Sequence, residues 1–232
     1  MASKYFKVRQ FTALAPEEKG RIYLMCGFAG PLALWWPVVK YLRRQGYSLS
    51  VFTFRTRPMS QLSIQTLPKV INDACTAVEQ LEKQRKGPRP ATVIGSSMGA
   101  VFAWHVAKRV KTVDKVVANS AYALISKMIL ESKVGAVWRR NLKKDNVDAE
   151  TFRKSIVASE PITDFHLLTG KKILLFMNRD DQVVDFAHAQ LFKDALEANG
   201  LEYTYIENEG MKHSKGIYHN LKSQALLDFL QS

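Results

Sequence analysis

The stretch ATVIGSSMGAVFAW, residues 91–104, passes from β-prone and small residues through Gly-Ser-Ser-Met-Gly into a helix-forming segment. A hydroxyl between two glycines at such a junction has two readings. One is a glycine-rich turn that needs conformational freedom. The other is a nucleophile raised on a strained elbow, with glycines two residues to either side permitting close approach of strand and helix. The second places Ser97 at the top of a sheet between Gly95 and Gly99, and aims the Met98 backbone N–H where an oxyanion would form.

Working outward, apolar runs bounded by turn residues alternate with segments of helical period. KYFKVRQFTAL and GRIYLMCGF read as strands, the second buried, and GPLALWWPVVKYLRRQG reads as a helix stopped at Gly46. YSLSVFTF is a strand, and residues 63–86 place Leu67, Val70, Ile71, Ala74, Val78 and Leu81 on one helical face. The stretch 91–104 supplies the next strand and helix, and DKVVANSA the strand after it. From Tyr122 to His166 the alternation gives way to helical material, with Leu124, Ile125, Met128 and Ile129 on one face and a charged run after Trp138. KKILLFMN, FAHAQLFKDALEANG, LEYTYIENE and one closing helix, IYHNLKSQALLDFL, complete the chain. Such alternation predicts an α/β fold, a mostly parallel sheet with helices on both faces.

At 232 residues the chain fits one domain, expected to span 1–232, with 122–166 as a helical insertion. No apolar run approaches the length of a membrane span, and the N-terminus lacks the apolar core of a secretory signal. A cytoplasmic location is the expectation. Cys26 and Cys75 lie in different elements, and the five histidines form no ligand pattern, so neither a disulfide framework nor a metal or other cofactor is expected. The net charge of +13 is concentrated, with ten Lys/Arg against two Asp/Glu across residues 101–144. That stretch reads first as a solvated basic face and second as a place for peripheral membrane contact. With no nucleic-acid-binding motif beside it, no specific nucleic acid is expected.

A serine needs a base, and the base an orienter. The strand KKILLFM runs into NRDDQVV and the strand LEYTYIE into NEGMKHSKG, so loops at the carboxyl ends of two later strands supply Asp and then His, in that order after Ser97. On these motifs the chain resembles the α/β-hydrolase superfamily from Tyr5 to its C-terminal helix. The resemblance implies Ser97 as nucleophile, His213 as general base and Asp181 as the acid, with Asp180 the runner-up and His219 a weaker base candidate inside the closing helix. It also implies Phe28, in CGFAG, as the second oxyanion donor beside Met98, with Cys26 where many members carry His. By position, residues 122–166 would form a lid.

The expected chemistry is cleavage of carboxylic esters through an acyl-enzyme, of the carboxylesterase or monoacylglycerol-lipase-like sort, with activity rising from acidic toward neutral or mildly alkaline pH. Trp35, Tyr122, Met128 and Trp138 are candidate pocket residues, with burial in the core the alternative for each. The expected partner is a small-molecule ester, anionic or lipid-like if the basic stretch steers it. Two alternatives stay open: a thioesterase or acyltransferase working on coenzyme A or carrier-protein adducts, and a non-catalytic binding protein on the same fold.

Overall fold

The structure is a computed structural model that describes residues 3–27, 31–55, 66–85, 87 and 89–232. Among the described residues seven strands form one sheet: β1 (Phe6–Phe11), β2 (Gly20–Met25), β3 (Tyr47–Phe54), β4 (Ala91–Ser96), β5 (Lys115–Asn119), β6 (Lys172–Asn178) and β7 (Thr204–Asn208). Their order across the sheet is β1-β3-β2-β4-β5-β6-β7, with β1 antiparallel to β3 and every other pair parallel.

Alternation of side chains along the strands sorts the core into two layers. Tyr23, Met25, Val93, Val116 and Leu175 face α2 (Leu67–Lys83), α3 (Met98–Arg109) and α7 (Ala187–Ala198). Ile22, Leu24, Ile94, Val117 and Leu174 face α1 (Leu32–Arg44), α8 (His213–Asn220) and α9 (Gln224–Gln231). Of these helices α3 is buried almost all round, from Met98 through Ala107 with only His105 partly open, as expected of a helix apolar on nearly every face. Trp104 anchors it against Phe165 and Phe192, with ring centroids 5.0 and 5.4 Å away.

The expected single closing helix is two. The Ser223 hydroxyl accepts the Leu226 N–H at 3.2 Å and donates to the Asn220 carbonyl at 2.8 Å, so it ends α8 and caps α9 in one residue. His213, expected in a loop, is the first residue of α8.

Between β5 and β6 the chain folds into α4 (Ile125–Glu131), α5 (Ala136–Lys144) and α6 (Ala149–Ile156). The insertion is tied down at its far end. The buried Glu160 carboxylate accepts the N–H groups of Ile125 and Ser126, satisfying the open start of α4. From α3, His105 bonds the Ser159 carbonyl at 3.0 Å and Lys108 donates to the carbonyls of Pro161 and Thr163 at 3.1 and 2.8 Å. No helix among the described residues is long and apolar enough to cross a membrane.

Candidate active site

The strand β4 and the helix α3 meet at Ser97, whose φ of 54° and ψ of −127° lie outside the regions open to ordinary residues. Such a conformation costs of order 1–3 kcal/mol and persists only where the surroundings dictate it. They do so here. The Ser97 N–H donates to the Asn119 carbonyl at 2.9 Å, and the Ser97 carbonyl accepts the Ala100 N–H at 2.9 Å. A Cβ on Gly99 would sit 2.1 Å from the Met25 carbonyl oxygen, and one on Gly95 would sit 2.4 Å from the Ala100 Cα. Only glycine lets α3 leave β4 this closely.

The loop after β6 brings Asp181 up to His213. Asp181 Oδ2 lies 2.7 Å from His213 Nδ1, while Oδ1 accepts the N–H groups of Val183 and Val184 at 2.8 and 3.0 Å. Burial pushes this carboxyl up, but the hydrogen bond and charge of His213 together with the two amides outweigh it and hold the group below the ordinary aspartate value. Asp180 faces away, accepting the Gly210 N–H at 2.6 Å. With Nδ1 engaged by Asp181, the other ring nitrogen of His213 is the one left to accept a proton. His219 is exposed in the last turn of α8.

Tyr122, a pocket candidate from the sequence, is tied to the loop that carries Asp181. Its hydroxyl donates to the Val183 carbonyl at 3.3 Å. Burial, and then the nearby Asp181 charge, hold the phenol well above its ordinary value, so it stays a neutral donor. His188 steadies this segment. Its Nδ1 accepts the Ala123 N–H at 3.1 Å and its ring meets Tyr122 edge-on at 5.5 Å, while burial pushes it down to about 4 and keeps it neutral.

Beside the elbow, a cavity of about 590 Å³ opens between α3 and the insertion. Met98, Ile125, Met128, Trp138 and Phe152 line it, with Asn141 and Thr151 among its polar groups. Of the pocket candidates from the sequence, Met128 and Trp138 line this cavity and Tyr122 does not. Trp35 lies elsewhere: the inward face of α1 carries it, with Val38, Val39 and Leu42, into the opposite layer, its ring 5.9 Å from that of Tyr218. Phe28, the expected second oxyanion donor, lies outside the described residues. Among the described residues no group of three His, Cys, Asp or Glu side chains gathers to hold a metal ion.

A model of the uncharacterised protein family UPF0227 matches residues 45–230. No curated protein matches the sequence. Among solved structures, a puromycin-hydrolyzing peptidase of Mycobacterium tuberculosis superposes with a TM-score of 0.72 at 14% identity, covering 97% of this chain and 36% of that one. Pyrococcus horikoshii acylaminoacyl peptidase gives 0.73 at 12% identity over 98% of this chain and 42% of its own. The present chain thus spans well under half the length of these two. A lipase in its open form is matched end to end, with a TM-score of 0.71 at 12% identity over 97% and 93% of the two chains. Together with the elbow and strand order, these likenesses make the fold that of the α/β-hydrolases.

Proposed function

The chain belongs to the uncharacterised protein family UPF0227, and we propose that it is a serine hydrolase that cleaves carboxylic esters through an acyl-enzyme. The observation that carries this reading is the strained backbone of Ser97, which a plain turn would avoid by placing glycine there. Ser97 Oγ loses its proton to the His213 ring and attacks the ester carbonyl. Asp181 holds the ring and balances its charge, and the Met98 N–H, with Phe28 as the second donor, receives the oxyanion. His213 returns the proton to the departing alcohol, and water then releases the acid by the same route. The apolar cavity beside Met98 takes the acyl chain, with the insertion 122–166 as its lid.

Intact-mass labelling with a fluorophosphonate tests the reading. A single adduct on the wild type, absent from Ser97→Ala, is the expected result, and no adduct on folded wild type overturns it.

One observation favours a second substrate class. Helix α5, whose Trp138 and Leu142 line the cavity, carries exposed Arg140, Lys143 and Lys144. A basic rim beside an acyl pocket suits a thioester whose carrier bears phosphates, or an anionic lipid headgroup. Competition by free coenzyme A separates the thioesterase from the simple esterase. A kcat/KM for an anionic ester that is the same at low and high salt would remove the basic rim from either account.

A further inference from the structure

Three neighbouring strands, β5, β6 and β7, each end in asparagine, at Asn119, Asn178 and Asn208, and α8 ends in a fourth, Asn220. Their side chains meet beneath α8. Asn220 Nδ2 donates to Asn119 Oδ1 at 2.9 Å, Asn208 Nδ2 to Asn220 Oδ1 at 2.8 Å and to Asn178 Oδ1 at 3.2 Å, and Asn178 Nδ2 to Ser120 Oγ at 2.6 Å. Asn119 Nδ2 donates to the Ile217 carbonyl inside α8 at 3.1 Å. Asn119, Asn178 and Asn220 are each no more than 1% exposed. Gly216 completes the seat, since a Cβ there would fall 2.3 Å from the Asn178 amide nitrogen.

The backbones of the same residues hold the proposed catalytic loops. The Asn119 carbonyl accepts the Ser97 N–H at 2.9 Å, the Asn178 carbonyl the Asp181 N–H at 3.2 Å, and the Asn208 carbonyl the Arg179 N–H at 2.8 Å. One set of residues therefore touches the nucleophile's elbow, the acid's loop and the helix that begins with His213. A satisfied buried amide network has a strongly preferred geometry, because each bond lost leaves a desolvated polar group without a partner.

We infer that Asn119 and Asn220 are positioning residues that set the place of His213 relative to Ser97, acting through the seat of α8. This rests on the serine-hydrolase reading for its catalytic meaning, but the seating of His213 can be measured without it. Amides do not titrate, so the floor under the site keeps its geometry across the pH range in which a histidine base changes charge.

The test is Asn220→Leu, near in volume and without the amide, read in two ways. Fluorophosphonate labelling should slow about 100-fold, the effect of roughly an ångström of misplacement, while KM for a small ester holds within about twofold. Added to His213→Ala, the same change should slow labelling no further, because a residue acting through the ring has nothing left to act on. Independently, the ring resonances of His213 should move between folded wild type and variant.

Unmoved His213 resonances in a folded variant, or an unchanged labelling rate with only a lower Tm, would overturn the positioning role. A wild type that takes no probe would overturn the hydrolase reading alone, leaving the resonances to decide the other question. Should Asn220→Leu not fold, Asn208→Ala at the half-buried end of the network removes the bond to Asn220 and should shift the same resonances in the same direction.

Discussion

Asp181 Oδ2 and His213 Nδ1 stand 2.7 Å apart, across 32 residues of chain, and the second oxygen of Asp181 is fixed by two backbone amides. Asp181 is thus held from two sides, and Asp180, one residue away, accepts the Gly210 N–H instead. Asp181→Asn should lower kcat for an ester by about 10,000-fold, the loss expected when the ring is held in the wrong tautomer. Asp180→Asn should leave kcat within about threefold, because its partner is an exposed turn. Steady-state kinetics on the pair checks both, and equal losses would contradict the assignment.

The same carboxylate links stability to pH. Its folded value lies below the unfolded one, so its contribution is fully present above the ordinary aspartate value, near 3.9, and disappears as pH falls through the folded value. The gap in Tm between wild type and Asp181→Asn should be constant from pH 5 to 7 in rough terms and close below about pH 4. Thermal melts of both proteins across that range provide the measurement, and a gap that widens in acid would reverse the sign.

Gly99 is where α3 passes the end of β2. Gly99→Ala would drive a methyl into a backbone oxygen that no rotamer can clear, so a loss of about 4 kcal/mol or more, or outright failure to fold, is expected. Denaturant melts decide it. A variant with near wild-type stability would mean that the elbow is looser than its contacts require.

The cavity offers a selectivity experiment. Met128→Trp should fill part of it, lowering kcat/KM for a laurate ester by about tenfold or more while acetate is cleaved nearly as before. A chain-length series of p-nitrophenyl esters reads the result. An unchanged profile would place the acyl chain elsewhere.

The elbow was legible in sequence because its chemistry is local: a strand, two glycines at fixed spacing and a helix fall within fourteen consecutive residues. The layers were legible for the same kind of reason, since period-2 and period-3.6 patterns report which face is buried. What escaped was set by contacts far apart in the chain. Trp35 and Trp36 are neighbours on an apolar helix, and only the sheet beneath decides that the first is buried and the second 41% exposed against Phe11. The closing segment read as one helix because Ser223 is an acceptable helical residue until its hydroxyl finds the N–H three residues on. The four asparagines were visible one by one, three at strand ends and one in the closing helical segment, but a residue common in turns does not announce that four of its kind converge.

The strand order carries a consequence for fragments of the chain. β2, which precedes the matched segment 45–230, lies between β3 and β4 rather than at a border. A polypeptide starting at Tyr47 would hold two hydrophobic strands with facing, unsatisfied backbone edges and a gap one strand wide. Such a piece would be insoluble alone and soluble with a peptide of residues 3–27 supplied in trans, the added strand entering the vacancy as a keystone enters an arch.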